Sequence, residues 1–217
     1  DPWQAMELLA EWGVGGVHIP AKGEFAPEVM TTQDRRELVR RVRSLGLEIS
    51  AIMLWGGQVD LCEDEDWEKN VQWGESLLEL AADLECGIWG AHVGVMPWEP
   101  SGRHWDNMVR AMERFVRKGD QVGACVAIET GPEPPFVLKN LIEQVGSDRI
   151  RVNYDPANLI MWPAILARRE GKPYDREQAL ADFLPSDGPL VIGQYIVHTH
   201  AKDGIVREDG THLEVPL

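Results

Sequence analysis

Short apolar runs rich in β-branched residues alternate along this chain with longer stretches whose apolar residues recur at helical spacing, and the alternation predicts its elements. Residues 3–12 carry Met6, Leu8, Leu9 and Trp12 at helical positions. Residues 14–20 read as a strand that ends at His18. Thr31 or Thr32 caps a helix that runs to Ser44, and Gly46 stops it. Residues 47–54 form the next strand, and a long helix over 64–84 turns Trp67, Val71, Leu77, Leu78 and Ala81 inward. Residues 87–93 form a strand ending in His92, and Ser101 caps a helix that continues to Gly119. A strand over 124–129 precedes a helix opened by Pro134 or Pro135 and ending at Val145. Residues 150–153 are a short strand, 157–168 helical or turn-like, 169–173 a loop, 176–184 a helix and 194–199 a strand. Residues 204–217 read as a loop.

Strands that alternate with helices predict a parallel sheet with helices outside it, an α/β fold. The fold expected is a TIM-type (β/α) barrel, in one domain over residues 1–217. Six strands are counted, whereas a closed barrel has eight and typically about 250 residues. The pattern opens on a helix and closes on a loop, so the first and last strands are expected to be missing. An open doubly wound sheet fits less well, because no glycine-rich dinucleotide fingerprint follows the first strand.

Composition narrows the function. The 217 residues are 44% hydrophobic and 26% charged, an ordinary globular balance. The formal net charge of -15 argues against nucleic acid as a partner, since phosphate binding needs a basic surface. Arg35, Arg36, Arg40 and Arg41 are expected on a solvated helix face. Cys62, Cys86 and Cys125 are far apart and odd in number, which excludes a disulfide framework and a zinc ribbon; Cys86 and Cys125 are expected as small core residues. With no signal peptide and no spanning run, no membrane partner is expected and the expected location is cytoplasmic. Of the nine tryptophans, Trp12, Trp73 and Trp105 read as packing residues, while Trp55, Trp98 and Trp162 suit packing or the wall of a sugar pocket equally well.

The chemistry collects where buried strands run out. Glu129 ends the run Val126–Ile128, and a carboxylate there needs a cation or a set of donors. Asp155 follows Asn153-Tyr154 and precedes Pro156, with Asn158 three residues on. His198 and His200 are two apart on one strand, so both point to one face together with Ile196, and Lys202-Asp203 follow. In a barrel of parallel strands these ends converge on one mouth, where active sites sit. One Glu, one Asp and one His from successive strands make a ligand set for a divalent metal. His18 and His92 suit the pocket lining and the core equally well.

The three motifs Ile-Glu-Thr, Asn-Tyr-Asp-Pro-Ala-Asn and His-Thr-His-Ala-Lys-Asp-Gly together resemble the sugar phosphate isomerase/epimerase family of the xylose isomerase-like barrel superfamily. The resemblance implies Glu129, Asp155 and His200 as metal ligands, with Mn, Mg, Co or Zn as the cation. It implies Glu129 as the catalytic proton carrier and Asn158 as a substrate contact; His92, His198, His18 and Lys202 are expected as further substrate-binding residues from their places at or just after strand ends. It also implies a fourth ligand Glu beyond Leu217, and Glu214 is set aside because it falls in the expected terminal loop. The activity implied is isomerisation or epimerisation of a keto-sugar or related polyol through an ene-diolate, with a small-molecule sugar as partner. Alternatives are an inosose-type dehydratase, an endonuclease IV-like repair enzyme, and a non-catalytic sugar-binding or assembly module whose open strand edges would make a homo-oligomer.

Overall fold

The computed structural model describes residues 1–54 and 59–216. Trp55, one of the candidate pocket walls, lies outside the described residues. The chain begins with α1 (Pro2–Glu11), β1 (Gly16–Pro20) and α2 (Thr32–Ser44). α2 starts in a capping box: Thr31 Oγ1 accepts from the Asp34 amide and the Asp34 carboxylate accepts from the Thr31 amide. Then come β2 (Glu48–Met53), α3 (Trp67–Asp83), β3 (Ile88–Ala91), α4 (Arg103–Val122), β4 (Cys125–Glu129), α5 (Pro135–Val145), β5 (Ile150–Tyr154) and α6 (Pro156–Arg169). The last part contains α7 (Arg176–Asp182), α8 (Asp187–Ile192), β6 (Ile196–Thr199), β7 (Asp203–Val206) and β8 (His212–Val215).

Four local expectations are corrected. Ser101 does not cap α4; Gly102 takes that position with no side-chain bond. The helix also passes through Gly119 and stops at Gly123, whose φ of 81° suits glycine. Gly119 is a packing glycine, since a Cβ there would lie 2.5 Å from the Ala124 carbonyl oxygen. His18 sits in the middle of β1 rather than at its end. Finally, residues expected as a terminal loop form the antiparallel hairpin β7–β8, with Val206 opposite His212 and a turn at Asp209-Gly210. Asp-Gly between short alternating runs is a hairpin signal, here carried by strands of only four residues.

The first six strands pair in parallel in the order β1-β2-β3-β4-β5-β6, with helices outside, a TIM-barrel-like arrangement. The sheet curls so far that the rings of His18 on β1 and His198 on β6 lie 6.0 Å apart. Its outer face makes the core: Val17, Ile19, Ile52, Trp89, Val126, Ile128, Ile150 and Val152 pack with Leu38, Val42, Leu77, Leu78, Phe115 and Leu141 of the helices. Trp89 meets Phe115 edge-on with centroids 5.3 Å apart. The inner face is narrower. Gly90 lies there, and the Met53 side chain fills the place a Cβ would take.

The surface follows the charge pattern. Arg35 pairs with Asp83, Arg40 with Glu37 and Arg43 with Glu85, and Arg41 lies over the Trp3 ring. All three cysteines are free thiols; Cys62 is buried, whereas Cys86 and Cys125 are only partly so. Trp105 is buried and donates to Gln144, but Trp12 is 69% exposed and does not pack as expected. Among the described residues, no helix is long and apolar enough to cross a membrane.

Candidate active site

Glu129, Asp155 and His200 come together just where β4, β5 and β6 end. One ligand atom from each lies within 4.8 Å of the others. Glu129 is 7% exposed and Asp155 0%. His200 Nδ1 is 3.2 Å from Glu129 Oε1 and 3.4 Å from Asp155 Oδ2. The backbone sets this spacing. Glu129 is in register with Asn153, and the His200 amide donates to the Tyr154 carbonyl at 2.9 Å. The Thr130 hydroxyl accepts from the Asp155 amide at 2.8 Å and donates to its carbonyl oxygen at 3.0 Å, bolting β4 to β5. Asp155 also caps α6, its Oδ1 accepting from the Asn158 amide at 3.2 Å.

The cluster is balanced electrically. Lys202 Nζ lies 2.9 Å from Asp155 Oδ2 and 2.9 Å from Glu214 Oε1. Hydrogen bonds from its ring to Asp155 and Glu129 raise the His200 imidazole to about 9. Burial opposes ionisation of Asp155, but the bonds from His200 and Lys202 outweigh it and hold the carboxyl below its usual range. Burial likewise opposes the Lys202 charge, and Glu214 with Asp155 reverses the effect, raising the ammonium. Two buried carboxylates and an imidazole at this spacing offer the oxygen and nitrogen donors that a divalent cation takes.

The remaining expected residues surround this centre. Asn158 Nδ2 donates to Glu129 Oε1 at 2.8 Å, and His92 Nε2 is 3.8 Å from the same oxygen. His92 Nδ1 is buried with no hydrogen-bond partner among the described residues, and burial lowers the pKa of this ring. His198 Nδ1 is 2.9 Å from Asn153 Oδ1, and the His18 ring lies 5.7 Å from that of His200. Burial first, then the neighbouring His200, lowers both His18 and His198. A cavity of about 440 Å³ opens over Glu129, Asn158, His92, Lys202 and Trp162. A second, of about 390 Å³, shares His92 and Trp162 and extends to Asp60 and Arg169. Trp162 meets His92 edge-on at 5.5 Å, so it walls the cleft, whereas Trp98 packs against Phe136 and Phe183.

Some geometry departs from expectation. Ile196 packs against the outer core, because the β5–β6 register slips between Val152 and Asn153 as β6 accommodates Val197. Glu214 lies in β8 and reaches Lys202, so it belongs to the site's surroundings after all. Sequence reasoning also missed Thr130 and Asn153, which are fully buried and hydrogen-bonded. Their signal was polarity inside a buried run; the partner was invisible.

A curled parallel sheet with outer helices and a carboxylate–imidazole cluster at its C-terminal strand ends defines a protein of the (β/α)-barrel class. The chain belongs to the family of xylose isomerase-like TIM barrels, whose sequence profile matches residues 6–216. It is similar in structure to a xylose isomerase domain protein from Planctomyces limnophilus, with 21% identity and a TM-score of 0.78 over 97% of this chain and 73% of that one. It is also similar to D-psicose 3-epimerase with D-tagatose from Clostridium cellulolyticum H10, with 15% identity and a TM-score of 0.65 over 92% and 67% of the two chains. A xylose isomerase-like TIM barrel protein from Mycobacterium smegmatis in complex with magnesium has 18% identity and a TM-score of 0.62, over 99% of this chain and 71% of that one. No curated protein matches the chain in sequence.

Proposed function

We propose that this protein is a divalent-metal-dependent isomerase or epimerase acting on a keto-sugar or related polyol through an ene-diolate. The observation that carries the reading is the mutual approach of Glu129, Asp155 and His200 within 4.8 Å at the strand ends. These three would hold the cation; Mn, Mg, Co and Zn all accept oxygen and imidazole donors. When bound, such an ion polarises adjacent substrate oxygens and stabilises the charge that develops as a proton leaves carbon.

The side chains divide the remaining work. Glu129 takes the proton from the carbon beside the carbonyl; in an isomerase it returns that proton to the neighbouring carbon, whereas in an epimerase it keeps it and a second acid delivers another proton to the opposite face of the same carbon. Asn158 fixes the Glu129 carboxylate through its bond to Oε1. His92, kept neutral by burial beside that carboxylate, is suited to a substrate hydroxyl. The Trp162 ring offers an apolar wall to the C–H face of a sugar. The epimerase with D-tagatose and the magnesium complex among the similar structures support this reading of substrate and cofactor.

The test is metal analysis of the purified protein beside an Asp155→Ala, His200→Ala variant. The expected result is about one equivalent of divalent metal, as for one cluster, lost in the variant. The Mn²⁺-loaded protein should then exchange a ketose C–H proton with deuterated water. Absence of metal from both proteins would sink the proposal.

A further inference from the structure

Lys202 is part of the motif that follows the histidine strand, and it takes no part in the chemistry above. Its ammonium has two carboxylate partners of different kinds, each 2.9 Å away. Asp155 is fully buried in the cluster, whereas Glu214 stands at the rim on β8 with its side chain 63% exposed. The two oxygens of Asp155 are also unequal. Oδ1 accepts the Asn158 amide that starts α6, so it is committed to the fold. Oδ2 faces His200 and is the oxygen on the cluster side, and Lys202 sits on it.

An ammonium and a divalent cation cannot share one carboxylate oxygen without strong like-charge repulsion. Resting on the metal site proposed above, we infer that Lys202 is a displaceable plug in that site, tied to Asp155 when no cation is bound and held by Glu214 alone once a cation engages Asp155. Glu214 makes the exchange inexpensive, because the ammonium keeps one ion pair throughout. It also keeps the displaced charge on the wall of the same cavity as Glu129 and Asn158. Lys202 and Glu214 are thus positioning residues for the cation site: one shields the buried Asp155 carboxylate, and the other decides how readily the shield moves.

The experiment is Mn²⁺ affinity by calorimetric titration at fixed pH and salt for the wild type, Lys202→Met, Glu214→Gln and the double variant. Lys202→Met removes the competitor and should bind Mn²⁺ about tenfold more tightly, a difference that titration resolves easily. Glu214→Gln leaves the ammonium with Asp155 as its only carboxylate partner among the described residues and should bind several-fold more weakly. The double variant should match Lys202→Met, because Glu214 acts through the lysine. If Lys202→Met fails to fold, Lys202→Gln replaces it with the same direction expected. Unchanged or weaker binding by the lysine variant overturns the inference, as does a loss from Glu214→Gln that persists undiminished in the lysine-substituted background. Wild-type protein that binds no Mn²⁺ removes the metal site itself and this inference with it; a wild type that binds while the variants fall in the wrong order removes the plug alone.

Discussion

Glu133 lies in the loop after β4, 1% exposed, with Oε2 lacking a hydrogen-bond partner among the described residues. Burial pushes its carboxyl up to about 8, against a backbone hydrogen bond from Met96 that acts the other way. The folded protein therefore keeps a proton that the unfolded chain releases in the ordinary carboxylate range. Its contribution to stability is full below that range and declines as pH rises through the folded value near 8. Glu133→Gln, neutral at every pH, is expected to match the wild type in thermal melts at acidic pH. At pH above 8 it should be more stable by about 2 kcal/mol or more, roughly 5 °C for a chain of this size. Equal melting points under alkaline conditions would remove this account of Glu133. The contrast with Glu129 shows what single residues disclose before folding. Both are glutamates beside β4, yet only Glu129 ends an apolar run at a point where neighbouring strands also end in polar groups. Asp155 and His200 stood out for the same reason. Glu214 did not, because what brings it to Lys202 is a hairpin folding back, which no local pattern near Asp155 reveals.

The helices and strands of the sheet were legible nearly throughout, since each repeats a strong period over enough residues and ends on glycine, proline or a capping side chain. α4 shows where such punctuation misleads. Gly119 looks like a stop, but its lack of a side chain lets the helix approach the Ala124 carbonyl, and the true stop is Gly123. Two effects compete in Gly119→Ala. Alanine favours a helix interior over glycine by about 1 kcal/mol. A Cβ at 2.5 Å from a fixed carbonyl oxygen forces α4 away from β4, and overpacking of this kind costs about 1–3 kcal/mol. The clash should win, so denaturant melts should show a net loss of stability; a gain would mean that the helix end can shift freely. α8 and the hairpin were missed because short elements carry too few residues for a period to register. The hairpin is fixed instead by contact: Gly204 on β7 lies against Met161 and Ala157 of α6, where an added Cβ would come within 3.1 Å. That seat on α6 is what holds Glu214 near the cluster.

The protein as a polyelectrolyte gives the broadest prediction. A formal charge of -15 surrounds a cleft whose Lys202 is already paired and whose Arg169 lies 5.1 Å from the Trp162 ring. Duplex DNA, with or without an abasic site, should not be retained in a mobility-shift assay even at low salt, where phosphate attraction is strongest. Salt-sensitive retention would reopen the repair-enzyme reading. The curled sheet was predictable as a class because alternating strands and helices admit few architectures. The degree of curl was not, since it comes from twist accumulated over six strands, which brings His18 against His198. The consecutive order of those strands has a consequence for biosynthesis. Each described strand of the sheet pairs with the one made just before it, so the sheet lengthens at one edge as the chain emerges. Glu129, Asp155, His200 and Lys202 all follow α4 in the chain. The nascent protein thus makes the apolar contacts of its first strands and helices before its buried carboxylates, and Glu129 and Asp155 wait through α6, α7 and α8 for the His200 imidazole and Lys202 ammonium that neutralise them.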